Sequence, residues 1–330
     1  MPSVIEYHGM GPHIHSYLKE MNEQVLSKYD VFAVSEGVGS TLQDAHDLVD
    51  KDRNELQMAY HFEATDMVTT LEKCTLAQFK ESFTKWDKSF AEKGWIAIYL
   101  SNHDQSRFIN RYGSDKPAFK DYSAKLLNTF ILSMRGTPYT YYGDELGMTN
   151  IGFTKIEQYK DIAAINGYKK AVTDGEDLDL YLQKLNLLSR DNGRTPMQWD
   201  ATKNAGFSNE TPWLPVHENH STVNVLDQEN DQNSVLNHFR KMVALRKDNL
   251  LLVYGNYAII QDDHLTIYAY SRTLEDQQMI ILLNFSELES SISLPNFDHN
   301  KEVLINNYNE LSIDENTITL KPYQAVVLKF

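Results

Sequence analysis

Four short apolar runs, at residues 31–34, 56–62, 95–100 and 138–142, alternate with segments of helical period, and each run closes on polar residues. No other feature constrains the chain as strongly. A strand that is apolar on both faces needs cover on both, and helices placed between successive strands supply it. The pattern predicts a parallel sheet wrapped by helices, either an open doubly wound sheet or a barrel.

The helical segments can be placed from their caps and spacing. Residues 12–28 carry Ile14, Leu18, Met21 and Val25 at helical intervals. Ser40 and Gln43 have capping-box spacing for a helix over 41–50. The clearest helix spans 76–92: Thr75 and Gln78 form a capping box, Leu76, Phe79, Phe83, Trp86 and Phe90 step by three and four, and Gly94 closes it. Another apolar helix over 123–135 stops at Gly136. Residues 149–233 are irregular and rich in Asn, Asp and Gly, which predicts a subdomain or binding loops. Residues 234–247 return to an amphipathic helix through Val235, Phe239, Met242 and Leu245. Beyond about 250, short strands are predicted at 265–272, 279–285, 303–306, around 313, at 317–320 and at 325–330, as a separate small antiparallel β domain. The division expected is 1–249 and 250–330.

Charge and cysteine content narrow the partners. Thirty-one basic against 46 acidic side chains give a formal charge of −15, which repels phosphate backbones and anionic lipid, so neither nucleic acid nor membrane is an expected partner. Cys74 is the only cysteine, which leaves no internal disulfide and no cysteine cluster for a metal. No stretch approaches the roughly 20 apolar residues of a membrane span. The opening Met1-Pro2-Ser3-Val4-Ile5-Glu6-Tyr7-His8 is not a signal peptide, and the expected location is the cytoplasm.

In parallel α/β architectures the chemistry sits at the carboxyl ends of the strands. The polar residues there are Glu36, Glu63, His103 with Asp104, and Asp144 with Glu145. Carboxylates from different strands meeting above one sheet are what glycosidic cleavage needs: an acid to protonate the leaving oxygen and a carboxylate facing the oxocarbenium-like carbon. Taken singly, each leaves two readings open. Glu36 is an acid/base or a cap or ion-pair residue, and His103 is a substrate ligand or a satisfied core histidine.

The motifs in combination resemble the α-amylase family of glycoside hydrolases, and within it the oligo-1,6-glucosidase and α-glucosidase members. The carriers are Gly11-Pro12-His13-Ile14-His15, Tyr17-Leu18-Lys19-Glu20-Met21-Asn22, Ser35-Glu36-Gly37, Asn102-His103-Asp104-Gln105, Gly136-Thr137-Pro138-Tyr139, Gly143-Asp144-Glu145-Leu146-Gly147-Met148 and Arg190-Asp191-Asn192-Gly193-Arg194-Thr195-Pro196-Met197-Gln198-Trp199. The resemblance implies a (β/α)8 TIM barrel, of which this chain holds the second half, strands 5 to 8, followed by a C-terminal antiparallel β-sandwich. It implies a retaining double displacement on α-1,4- or α-1,6-linked glucosides of short oligosaccharides, with Glu36 as general acid/base and Asp104 as the carboxylate that stabilises the transition state. Burial and a neighbouring carboxylate would let Glu36 hold a proton near neutral pH, and Asp104 should stay ionised. His103 and Arg194 would bind sugar in the −1 subsite, where a guanidinium can fork onto a carboxylate and a hydroxyl. Arg107 and Arg111 follow the same motif and serve either the site or structural ion pairs.

Several positions depart from the family's usual pattern: Ser106 stands for Pro, Gly193 for Ala, and Ser35-Glu36-Gly37 for Gly-Glu-Met. The nucleophilic aspartate belongs to a Gly-Phe-Arg-x-Asp type motif after the fourth barrel strand, and no such motif occurs in these residues. The resemblance therefore implies that the nucleophile, the first four strands and any calcium-binding loop lie upstream, supplied in cis or in trans, and that the 330-residue chain alone is inactive and prone to self-association. No cofactor is implied. Within the family, trehalose-phosphate hydrolase, dextran glucosidase, sucrose isomerase and trehalose synthase are rival activities. Non-catalytic barrel relatives, such as the heavy subunits of amino-acid transporters, form a rival class.

Overall fold

A computed structural model describes residues 9–36, 41–72, 74–294 and 301–330. The four expected strands are present as β1 (Val34–Ser35), β2 (Met58–Ala59), β3 (Ala97–Ile98) and β4 (Thr137–Pro138). β1 pairs with β2 and β3 with β4, both in parallel, and a parallel bridge between Ala59 and Ile96 joins the two pairs. The strands thus lie side by side in chain order. Their ladders are shorter than the apolar runs, because a ladder lasts only while two backbones run abreast. Beyond it the runs bring aromatic rings together: Tyr60 lies 5.1 Å from Tyr99 and 4.9 Å from Tyr139, ring centre to ring centre.

The helices follow their caps closely. Thr75 and Gln78 close a reciprocal capping box on the Leu76–Ser89 helix, which ends at Phe90 rather than reaching Gly94. The box expected at Ser40 and Gln43 is instead formed one residue later, by Thr41 and Asp44, and Ser40 lies outside the described residues. Asp44 wins because its carboxylate reaches both the backbone N–H and the hydroxyl of Thr41 at 2.8 Å. The first helix is shorter than expected, Ile14–Gln24 followed by a 3-10 turn at Leu26–Lys28, and none of its residues is buried. Segment 149–233 is less irregular than its composition suggests. It contains helices Ile162–Asp174 and Leu178–Leu188, capped by the Asp161 and Asp177 side chains. Their period was weak because only Ala164, Ala171 and Leu185 are buried on them.

One core joins the strands, their helices and the C-terminal sheets. Helix Lys120–Ser133 is buried from Ser123 onward, since it packs against Val235–Asp248 on one side and the C-terminal sheet on another. Phe79 and Phe83 meet its Phe130 at 5.0 and 4.7 Å. A short helix, Leu250–Tyr254, precedes the first C-terminal strand.

That region holds two antiparallel sheets. The larger runs β5 (Asn256–Ile260), β6 (Ile267–Leu274), β7 (Gln277–Asn284), β12 (Ala325–Lys329), β9 (Glu302–Asn306), and the smaller runs β10 (Ser312–Asp314), β11 (Thr317–Leu320), β8 (Ser290–Ser293). Strand period decides what each residue covers. Tyr268, Tyr270, Ile281, Leu283 and Val327 join the main core, whereas Ile267, Ala269, Leu282, Val326 and Leu328 pack on Ile292, Ile318 and Leu320 of the smaller sheet. β6 is therefore buried on both faces. Two buried arginines sew this unit to the helical layer. Arg246 donates to the carbonyls of Leu132, Met134, Gly136 and Leu252 at 2.6–3.0 Å, and Arg272 donates to those of Ser133, Leu252 and Gly255. Among the described residues no helix is long and apolar enough to cross a membrane.

Candidate active site

The loop after β3 is built around Asn102. Its side-chain oxygen accepts the Asp104 N–H at 2.8 Å, and its carbonyl accepts the Gln105 N–H at 3.2 Å. This turn presents Asp104 toward the 3-10 turn Arg190–Arg194. Arg194 Nη2 donates to Asp104 Oδ1 at 2.8 Å, and Arg190 Nη1 reaches the same oxygen at 3.2 Å. His103 Nε2 stands 3.3 Å from Asp104 Oδ2, and the His103 carbonyl accepts Arg194 Nε at 2.7 Å. Two guanidiniums and an imidazole thus meet one carboxylate, an arrangement suited to fixing its direction.

Arg190 was missed in the sequence, although it sits in the same motif as Arg194, one turn earlier. Its other edge forks onto Asp161, with Nη2 2.6 Å from Oδ1 and Nε 3.1 Å from Oδ2. Burial pushes the Asp161 carboxyl up, but the hydrogen bond from Arg190 and the helix-start N–H of Ala163 outweigh it and hold it below the usual range. Asp161 caps the Ile162–Asp174 helix, so the subdomain is tied to Asp104 through Arg190.

Glu36, after β1, lines a cleft of about 310 Å³ together with Tyr60, Tyr99, Ser101, His103 and Tyr139. The burial expected around Glu36 is not found among the described residues, where it is exposed. Burial, the hydrogen bond with Tyr139 and the nearby Glu36 charge all push the Tyr60 phenol upward. Glu36 and His103 share the cleft, and Asp104 adjoins it through His103.

The remaining strand-end candidates divide differently. Glu63 is tied to Lys85 at 2.5 Å and the Trp86 indole at 2.7 Å. Burial opposes its charge, but those bonds prevail and lower its pKa, which marks a structural pair outside the cleft. Asp144 is fully buried and accepts from Ser101, while its Oδ1 has no hydrogen-bond partner among the described residues. Burial, only partly offset by Ser101 and Arg107, pushes it up to about 7. Glu145 is also raised by burial, and its carboxylate accepts the Gly143 N–H. Among the described residues Arg107 and Arg111 form no carboxylate ion pair. Arg107 donates to the carbonyls of Tyr142 and Asn192 and to Thr195 Oγ1, and Arg111 to Gln105 Oε1 and the Thr65 carbonyl. Among the described residues no group of three or more His, Cys, Asp or Glu side chains is placed to hold a metal ion.

Four parallel strands, a helical cover and a carboxylate clamp at the strand ends define a parallel α/β architecture with its polar site at the carboxyl ends of the strands. Residues 4–255 match the family described as Alpha amylase, catalytic domain, and residues 267–327 match the Alpha-amylase SusG C-terminal domain. The chain belongs to the α-amylase family. It is 43% identical over 98% of its length to an oligo-1,6-glucosidase of Parageobacillus thermoglucosidasius, and 38% identical over 97% to a trehalose-6-phosphate hydrolase of Bacillus subtilis. Among solved structures it superposes on the trehalose-6-phosphate hydrolase of Bacillus licheniformis with a TM-score of 0.93 at 34% identity, covering 98% of this chain and 60% of that one. A sucrose complex of isomaltulose synthase from Erwinia rhapontici gives 0.91 at 35% identity, covering 99% and 61%. The chain spans 59% of the length of that oligo-1,6-glucosidase and 58% of that of the Bacillus subtilis hydrolase.

Proposed function

We propose that this chain carries the acid/base side of an α-glucosidase site acting on short α-1,4- or α-1,6-linked oligosaccharides, within a (β/α)8 barrel whose strands 5 to 8 are β1 to β4. The observation that carries the reading is the clamp on Asp104: two arginines and His103 converge on one carboxylate beside a cleft lined by Glu36. In this reading Glu36 protonates the glycosidic oxygen as the bond to the anomeric carbon breaks, and then takes a proton from the water that completes hydrolysis. Asp104 faces the positive charge that develops on the sugar ring, while His103 and Arg194 orient hydroxyls in the −1 subsite. The nucleophilic carboxylate comes from residues outside this chain, which also cover Glu36 and the aromatic floor of the cleft. The proposed domains are 1–249 and 250–330, and no cofactor is required.

Trehalose-6-phosphate hydrolysis or sucrose isomerisation is the second reading, favoured by the names of two of the similar proteins. The test is hydrolysis of p-nitrophenyl-α-glucoside by the chain alone and joined to an N-terminal barrel half of the family, with Glu36→Gln and Asp104→Asn as controls. The reading expects activity only in the joined form, lost in both variants. Turnover by the chain alone refutes the external nucleophile, and full turnover by Glu36→Gln refutes the acid/base assignment.

A further inference from the structure

Arg190 divides its guanidinium between two carboxylates. Nη2 and Nε fork onto Asp161 at 2.6 and 3.1 Å, which leaves Nη1 to meet Asp104 Oδ1 at 3.2 Å. A guanidinium is planar and rigid, so the fork onto Asp161 fixes where Nη1 points.

Asp161 is itself held in place. The backbone N–H groups of Lys160 and Asp161 donate to Oδ2 of the fully buried Asp191 at 2.7 and 2.9 Å, and the Asp191 N–H donates to Ser189 Oγ at 3.3 Å. Residues 160–161 and 190–191 therefore latch in both directions: the Asp161 carboxylate takes the side chain of Arg190, and the Asp191 carboxylate takes the backbone of Asp161. Next to the latch, the Tyr159 hydroxyl donates to Asn186 Oδ1 at 3.0 Å, which ties it to the Leu178–Leu188 helix. Charge adds a second effect. The Asp161 side chain is only 6% exposed, so water screens it weakly, and its negative charge offsets one of the two guanidiniums that meet Asp104. Without it, the full charge of Arg190 would fall on a carboxylate that has to face a positive sugar ring.

We propose that Asp161 is a positioning residue for Asp104: it aims Arg190 and tempers the positive charge set beside the site carboxylate. The kinetic consequence rests on the α-glucosidase reading, and the aiming of Arg190 does not.

The test is Asp161→Asn. Asp161 also caps the Ile162–Asp174 helix, its Oδ1 accepting the Ala163 N–H at 3.2 Å, and asparagine caps a helix about as well as aspartate. The substitution therefore keeps the cap and removes the charge that Arg190 forks onto. In crystal structures of the chain with and without it, Arg190 should turn away from residue 161 and its Nη1 should leave its present place on Asp104; a guanidinium that keeps both contacts overturns the proposal. In the joined form, kcat on p-nitrophenyl-α-glucoside should fall about tenfold with KM changed by less than about threefold. A kcat within about twofold of an active parent also overturns it. Asp177→Ala is the control for a lost cap alone, since Asp177 caps the Leu178–Leu188 helix through the N–H groups of Asp179 and Leu180. It should lower the urea midpoint and leave kcat unchanged, and an equal kcat loss there would reduce Asp161 to a structural role. Arg190→Gln leaves the Asp161 cap untouched and serves if Asp161→Asn does not fold: the proposal requires a kcat loss of about tenfold, and an unchanged kcat refutes it. Where both fold, Asp161→Asn should cost less than about twofold in the Arg190→Gln background, whereas equal losses in the two backgrounds would mean that Asp161 acts elsewhere. A joined parent without glucosidase activity would discard the functional reading, and the crystal structures would then decide the aiming of Arg190 alone.

Discussion

His61 sits just after β2 with 2% of its surface exposed, stacked 4.6 Å from the Trp86 ring and edge-on to Phe83 at 5.4 Å. Neither ring nitrogen has a hydrogen-bond partner among the described residues. Burial without a partner favours the neutral ring and lowers its pKa from 6.5 to about 4, with Glu63 opposing only weakly. The unfolded chain then binds more protons than the folded one between those values, so stability falls as pH drops through 6.5 toward 4. From the two pKa values, the loss between pH 7 and pH 4.5 is on the order of 2 kcal/mol from this one residue. His61→Phe keeps the stacked ring and removes the proton site. In urea titrations at both pH values, the parent should lose on the order of 2 kcal/mol more than His61→Phe on acidification. Equal acid sensitivity of the two proteins would refute the argument, as would an imidazole that titrates above pH 6 by NMR.

Other outcomes follow from the same geometry. Asp144, raised to about 7 by burial, works in the opposite sense. Its folded form holds a proton that the unfolded chain releases above its ordinary 3.8, so between pH 5 and pH 8 it removes stability on the order of 3 kcal/mol, and Asp144→Asn should abolish that loss in thermal or urea unfolding. Thr75→Ala breaks the capping box of the Leu76–Ser89 helix and should cost about 1 kcal/mol, with no loss meaning that the cap is not formed in solution. Arg246→Met strips donors from four buried carbonyls at the junction of the helical and sheet layers and should cost about 3 kcal/mol or more, read as a lower urea midpoint. Tyr29 and Phe32, 68% and 62% exposed, predict concentration-dependent association of the chain in sedimentation, suppressed by Phe32→Asp.

Local chemistry made much of this legible in advance. The Thr75 box, the alternation of apolar runs with helices, and the antiparallel strands after Gly255 each depend on neighbours within a few residues, and each is present. Where two local solutions competed, sequence alone chose wrongly: Ser40 and Thr41 are both capping residues, and the reach of Asp44 decided for Thr41. The subdomain helices escaped notice for a physical reason as well. A helix that buries only one or two side chains leaves no apolar stripe to read.

By itself, then, the sequence determined the strand-helix alternation and the family motifs, and it put forward Glu36, His103, Asp104 and Arg194 as candidates. Tertiary structure decided how they meet. Arg190 touches Asp104 across 86 residues and Arg194 across 90, distances over which no periodicity carries information. It also decided which strand-end carboxylates were taken up elsewhere: Glu63 by Lys85 and Trp86, and Asp144 by burial under Ser101. The fork of Arg190 onto Asp161 is of the same kind. A carboxylate 29 residues away in the chain becomes a partner only when the two loops pack closely enough for their side chains to meet.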